Sequence, residues 1–183
     1  YAIFSDDGGN TWQRGEVAPE GAGEGEDQGD ETQFVELPGG AIMANSRAPR
    51  RNVAISRDGG VTWSALRAEP ALKTTPTAAG FLRYSGLGDG DKSRLLFTNP
   101  SATSRMRGMV SLSYDDGRTW PVEKLLREGR FGYSCLTRLP DGNVGCIFEG
   151  AVENGEIAGF NGRAVLLARF SLDWLTGGKD RAP

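Results

Sequence analysis

The sequence predicts an all-β chain built as successive blades of a β-propeller. Three observations carry that expectation: a box of eight residues recurs three times, short β-forming runs separate the copies, and turn residues punctuate the whole chain. The box reads Ser5-Asp6-Asp7-Gly8-Gly9-Asn10-Thr11-Trp12, then Ser56-Arg57-Asp58-Gly59-Gly60-Val61-Thr62-Trp63, then Ser113-Tyr114-Asp115-Asp116-Gly117-Arg118-Thr119-Trp120. The shared pattern is S-x-D-x-G-x-T-W. Asp followed by Gly favours a tight turn, the Ser and Asp oxygens accept the turn's amides, and the Trp is expected to open the next strand and pack inward.

The box starts are 51 and 57 residues apart. Between them lie β-rich runs at Phe34 to Leu37, Ala41 to Ser46 and Asn52 to Ser56, then at Gly80 to Ser85, Arg94 to Thr98 and Met109 to Ser113. About four antiparallel strands recurring at this spacing are propeller blades. A third unit follows with Ser134 to Leu139, Val144 to Phe148 and Arg163 to Ser171, ending at Trp174. The acidic, Gly-rich stretch Glu20 to Asp30 reads as an interblade loop, because the repeat resumes directly after it. The count is three full blades plus the end of an earlier one, about three and a half. Closed propellers have roughly 4 to 8 blades, so residues 1–183 are expected to be a fragment of a single propeller domain. Tyr1 opens inside a strand with neither an initiator Met nor a signal peptide, which fits that expectation.

Composition narrows the chemistry. The longest apolar run, Ala164 to Ala168, is far short of the roughly 20 residues a bilayer span requires. With 21 basic against 24 acidic residues, no nucleic-acid partner is expected. Histidine is absent, so Ser-His and Cys-His nucleophile pairs and His-based metal sites are excluded within the chain. Carboxylates, arginines, hydroxyls and phenols remain. A hairpin centred on Asp141-Gly142 would set Cys135 opposite Phe148 and Cys146 opposite Thr137, making the cysteines diagonal neighbours. Two buried free thiols are favoured over a disulfide.

The three boxes resemble the Asp-boxes of the sialidase (neuraminidase) superfamily, whose propellers are six-bladed. From Tyr1 to Leu175 the chain is similar to the C-terminal half of the catalytic domain of bacterial exo-sialidases, which implies that residues 1–183 are the C-terminal part of a single sialidase propeller. The box marks the fold more than the chemistry, and the discriminating residues lie between the copies. Asp30-Glu31-Thr32-Gln33-Phe34-Val35-Glu36-Leu37 resembles the family's N-E-x-Q-x-V-E-L strand, with Asp where Asn is usual. The resemblance assigns to Glu31 the partner role beside a catalytic tyrosine, the alternative being a solvated glutamate at a strand start. Ala44-Asn45-Ser46-Arg47 is similar to the L-N-x-R that supplies a substrate-carboxylate arginine. Arg50 and Arg51 are rivals in sequence but read as ordinary surface charges.

Phe97-Thr98-Asn99-Pro100-Ser101 followed by Arg105 and Met109 to Ser113 resembles the stretch carrying another of the family's three arginines, with Arg107 as competitor. Phe131-Gly132-Tyr133-Ser134-Cys135-Leu136 is similar to the nucleophile strand, and Gly145 to Glu149 to the strand after it. The resemblance makes Tyr133 the nucleophile and Glu149 the holder of the family's first arginine, for which this chain has no candidate. Tyr84 and Tyr114 read as a strand tyrosine and a box residue. Secretion or a periplasmic location, no cofactor, and a sialylated glycan as partner are what the resemblance implies.

Strand order offers a check independent of the family. Glu31 and Tyr133 precede first strands, Arg47 and Glu149 follow second strands, and Arg105 lies in a second-to-third connection. In an antiparallel meander these positions share one rim, while boxes joining third to fourth strands lie on the other. The sialic acid that the resemblance implies carries its carboxylate on the anomeric carbon, and guanidinium forks hold such an anion. The same anion repels a carboxylate nucleophile, which favours a phenol. A phenol titrates near roughly 10, so it needs a base at hand. The implied reaction is retaining hydrolysis of terminal α-linked sialic acids through a tyrosyl intermediate. A trans-sialidase shares all these residues, and a non-catalytic Asp-box propeller that binds glycans would keep only the boxes. The family also needs a first arginine and an aspartate acid/base near its N-terminal end. Neither precedes Ser5, so the chain alone is expected to be inactive until the missing N-terminal half supplies them.

Overall fold

Each box folds into the same hydrogen-bonded turn. In the second copy Ser56 Oγ accepts from the Gly60 amide at 2.8 Å and donates to Asp58 Oδ1 at 2.9 Å. Asp58 also accepts from the Thr62 amide at 2.9 Å and the Thr62 hydroxyl at 2.5 Å. The other two boxes repeat the network around Ser5 and Asp7 and around Ser113 and Asp115. Two consecutive left-handed residues, Gly59 at φ 73° and Gly60 at φ 98°, explain why glycine recurs there.

These bonds favour ionised aspartates. The Thr11 hydroxyl and then the Thr11 amide hold the Asp7 carboxyl down at about 2. A depressed folded value means that the contribution to stability is complete above the unfolded value of roughly 3.9 and is lost as pH falls toward 2. Ser113 is fully buried. Ser113→Ala removes the acceptor of the Gly117 amide and should cost about 1–3 kcal/mol. At roughly 2–4 °C per kcal/mol for a chain of this length, thermal melts will read the loss directly. A variant melting with the wild type would show that the turn does not depend on the serine.

The computed structural model describes residues 1–27, 29–72, 75–88, 90–101, 104–151 and 163–182. Its strands are β1 (Ile3–Phe4), β2 (Gln13–Arg14), β3 (Thr32–Glu36), β4 (Ile42–Ser46), β5 (Asn52–Ser56), β6 (Arg67–Ala68) and β7 (Gly80–Ser85). They continue as β8 (Arg94–Pro100), β9 (Met106–Ser113), β10 (Val122–Arg130), β11 (Ser134–Arg138), β12 (Val144–Ala151) and β13 (Arg163–Phe170). All pair antiparallel, in the orders β1-β2, β3-β4-β5-β6, β7-β8-β9-β10 and β11-β12-β13. The boxes join β1 to β2, β5 to β6 and β9 to β10, as their spacing predicts. No helix among the described residues is long and apolar enough to cross a membrane.

The sheets stack face to face, which explains why β8 is buried at every position. Leu95 and Phe97 pack with Val35, Met43, Val53 and Phe81, toward the sheet of β3 to β6. Leu96 points the other way, joining Val110, Phe131, Leu136, Val144 and Phe148, toward the sheet of β11 to β13. A strand sandwiched between two neighbours carries apolar side chains on both faces.

Several expectations are corrected. The third unit has three described strands rather than four, followed by a short helix, α1 (Leu172–Thr176). Ser171 Oγ caps it by accepting from the Trp174 amide at 3.0 Å, and Gly177 at φ 64° ends it. Trp12 is 61% exposed rather than packed inward, its sheet having only two described strands. The β11–β12 hairpin is shifted by one residue, with Cys135 opposite Ile147 and Leu136 opposite Cys146. Because a one-residue shift turns a side chain to the other face, the cysteines lie on opposite sides of the sheet, Cys135 exposed and Cys146 buried. Both are free thiols, only one of them buried.

Candidate active site

Register brings the first pair together. Thr32 opens β3 opposite Ser46, the last residue of β4, and the ladder runs one residue further where the Arg47 amide donates to the Glu31 carbonyl at 2.9 Å. At the far end of β4, Ile42 pairs with Ser56, the first residue of the second box. Four residues at about 3.3 Å each put roughly 13 Å between that box and the Glu31–Arg47 edge. The two rims expected from strand order are thus distinct in this sheet.

Tyr133 arrives from a different sheet. Ser134, which opens β11, donates its amide to the Ala78 carbonyl at 3.0 Å, and its hydroxyl accepts from the Gly80 amide at 3.0 Å. These bonds tie the Tyr133 strand to β7, and the Glu149 amide holds the Tyr133 carbonyl at 2.9 Å. The phenol donates to Glu31 Oε1 at 2.5 Å. Arg47 Nη1 donates to both Glu31 oxygens, at 2.8 and 2.9 Å, and to the Tyr133 oxygen at 3.0 Å. The hydrogen bond from Tyr133, opposed by burial and aided by Arg47, holds the Glu31 carboxyl below the usual range. Glu31 is therefore a carboxylate at neutral pH, facing a phenol and a guanidinium.

Arg105 approaches from the β8–β9 connection. Its carbonyl accepts from the Phe131 amide at 2.9 Å, and Phe131 is fully buried. The Phe131 ring occupies the place of any Cβ on residue 108, which would lie 2.0 Å away, so glycine there is required for the approach. The Arg105 guanidinium sits 4.8 Å from the centroid of the Tyr133 ring, and its Nη1 is 4.0 Å from Glu149 Oε2. Glu149 lies inside β12 rather than after it, and its Oε2 accepts from the Tyr133 amide at 3.5 Å. Beside Arg47 a cleft of about 510 Å³ opens, lined by Asp27, Asp30, Pro49 and Pro76 among others.

The rivals separate cleanly. Arg107, at φ 56°, turns to Glu128. Tyr84 donates to the Gly142 carbonyl at 2.6 Å. Burial pushes the Tyr114 phenol up to about 12, and Asp180 adds to the rise. Arg50 is exposed, as expected. Arg51 is not: it is 1% exposed and lies against Asn45 and Thr77. The surface reading of Arg51 fails because its position continues the β5 register inward. That register was the one signal that placed it beside Arg47.

Residues 1–146 match the family described as BNR repeat-like domain. The sialidase of Micromonospora viridifaciens is 35% identical over 184 residues, an alignment covering 96% of this chain and 26% of that protein. Among solved structures, the intramolecular trans-sialidase of Ruminococcus gnavus superposes with a TM-score of 0.74 at 28% identity, over 94% of this chain and 38% of that one. The leech intramolecular trans-sialidase bound to 2,7-anhydro-Neu5Ac superposes with a TM-score of 0.76 at 28% identity, over 96% and 28%. The chain spans about a quarter of the length of the Micromonospora viridifaciens sialidase and of the sialidase of Bacteroides fragilis.

Proposed function

This chain belongs to the BNR repeat-like domain family, and from that premise we propose that it is the nucleophile-bearing, C-terminal part of a retaining exo-sialidase propeller. The observation that carries the reading is the contact of one phenol with one carboxylate and one guanidinium, contributed by Tyr133, Glu31 and Arg47 across two sheets. Arg47 and Arg105 take the carboxylate of a terminal α-linked sialic acid, which sets its anomeric carbon against the Tyr133 oxygen. As that oxygen attacks and the aglycone departs, Glu31 accepts the phenolic proton. The hydrogen bond from Tyr133 lowers the proton affinity of the Glu31 carboxylate in the resting site, so proton transfer belongs to the attack itself. Water then cleaves the tyrosyl intermediate, and two inversions give net retention. Glu149 orients Arg105 and awaits a further guanidinium. That guanidinium and the carboxylic acid serving the leaving group come from the remaining blades of a six-bladed propeller, without which residues 1–183 are inactive.

The test uses the full-length protein and an activated α-sialoside. NMR before mutarotation should find the first product in the α configuration, and β product would remove the mechanism. Glu31→Gln should lower kcat by about 10²–10⁴, and near-wild-type turnover would remove Glu31 as the base. A second reading, intramolecular transfer, is favoured by the two superposed structures. It requires a sialic acid oxygen instead of water to open the intermediate, so an anhydro product in place of free sialic acid decides for it.

A further inference from the structure

The edge of the sheet of β3 to β6 carries a third charge that hydrolysis as described does not use. Asn52 pairs with Ser46, and continuing that register one residue outward sets Arg51 beside Arg47, in a row with Glu31. Arg51 is 1% exposed. Its Nε donates to Asn45 Oδ1 at 2.7 Å, its Nη2 to the Asn45 carbonyl at 3.1 Å and its Nη1 to the Thr77 carbonyl at 2.9 Å. Its guanidinium carbon lies 5.6 Å from the centroid of the Phe97 ring. All its partners are neutral, and no described carboxylate reaches ion-pair distance.

Buried charges are ordinarily paired. Here the residue facing the guanidinium is an amide, and the Asn45 Nδ2 is itself buried without a partner. An aspartate of the same shape would have neutralised the arginine and removed the orphaned donor. The sequence instead leaves both an uncompensated cation and an unsatisfied amide, each a cost of its own. The carbonyl next to the one Arg51 holds, that of Ala78, receives the Ser134 amide, so the same guanidinium braces the strand that presents Tyr133.

We infer that Arg51 is a positioning residue for the Tyr133 site, a buried cation left unpaired so that its field falls on Glu31 and Tyr133 and favours the phenolate. The inference rests on the sialidase reading for its purpose but not for its physics. The charged groups that otherwise face Tyr133 are Glu31 and Arg47 from the edge of the β3 to β6 sheet, with Asp30 3.8 Å from Arg47, Arg105 from the β8–β9 connection and Glu149 from β12. Their signs nearly cancel, and Arg51 tips the balance. Burial pushes the Arg51 guanidinium down to about 10, with Glu31 raising it and Arg47 lowering it, and it stays a cation at neutral pH.

The experiment titrates Tyr133 in the full-length protein by NMR of ¹³C-labelled tyrosine, with Tyr133→Phe identifying the resonance, in the wild type and in Arg51→Gln, Arg51→Lys and Asn45→Asp. Removing or neutralising the cation should move the Tyr133 titration up by about one unit, tenfold less phenolate at a given pH. Arg51→Lys should stay near the wild type. Asn45→Asp keeps the acceptor for Arg51 Nε and should melt no lower than the wild type while kcat/KM falls about tenfold, a combination that a merely structural role does not produce. Should Arg51→Gln fail to fold, Asn45→Asp and Arg51→Lys decide alone. A Tyr133 titration unmoved in every folded neutralising variant overturns the inference. Because the titration needs no substrate, a protein that shifts but cleaves no sialoside keeps this role for Arg51 and loses only the sialidase reading.

Discussion

Full-length protein carrying Tyr133→Gly is expected to hydrolyse an activated sialoside with inversion, where the wild type retains configuration. The glycine removes the phenol and opens a cavity on the face from which it would attack, and water has the polar neighbours it needs there in Glu31 and Arg47. Direct attack by that water is a single displacement. Glu31 then serves as base to the water, so residual activity should persist with an activated leaving group and vanish with a natural one. Tyr133→Phe keeps the ring, and with it the 4.8 Å approach of Arg105, but offers neither nucleophile nor room for water. It should lose kcat by about 10² or more and should resist labelling by a fluorinated sialosyl inactivator that marks the wild type at Tyr133. Retention by the glycine variant, or labelling of the phenylalanine variant, assigns the nucleophile elsewhere.

What the sequence made legible was what is encoded locally. A box turn needs only a serine, an aspartate and two left-handed residues within a few positions, so all three boxes read correctly, and β5 and β7 have the predicted bounds. β10 was legible only as the strand expected after the third box, without bounds, because its run, Val122 to Arg130, is half-exposed and mixes charges into the apolar pattern. The helix α1 carried its signals, a capping serine and a following Gly-Gly, but they lay hidden at the end of a β-like run. Tyr133 and Glu31 stand 102 residues apart, and no local pattern joins them; strand order gave them a common rim and the family resemblance gave them a pairing. Arg51 was misread because two arginines after a proline look solvated, and only pairing across three strands turns one of them inward.

The largest effect on stability is expected at Asp180. Arg94 and Asp180 are both buried, at 1% and 5% exposure, and they meet through two parallel bonds, Nε to Oδ2 at 2.8 Å and Nη2 to Oδ1 at 2.9 Å. Asp180 also faces Lys92 at 3.0 Å, while Arg94 takes Asp91 as a second anion. The pair fastens the segment after α1 to the start of β8, joining two sheets. Asp180→Asn keeps the shape and leaves the guanidinium short of a charge, which should cost about 3–5 kcal/mol, or roughly 10 °C in melting midpoint. The sign with pH follows from the direction of the shift. Hydrogen bonds from Arg94 hold the Asp180 carboxyl far below its usual range, so its contribution is complete above roughly pH 4 and fades only as pH falls below that. The gap in stability between the wild type and Asp180→Asn should therefore be constant from neutral pH down to about 4 and narrow in stronger acid. Urea titrations at several pH values measure it, and a gap that widens as acid is added would mean that the carboxylate is not what the arginine holds.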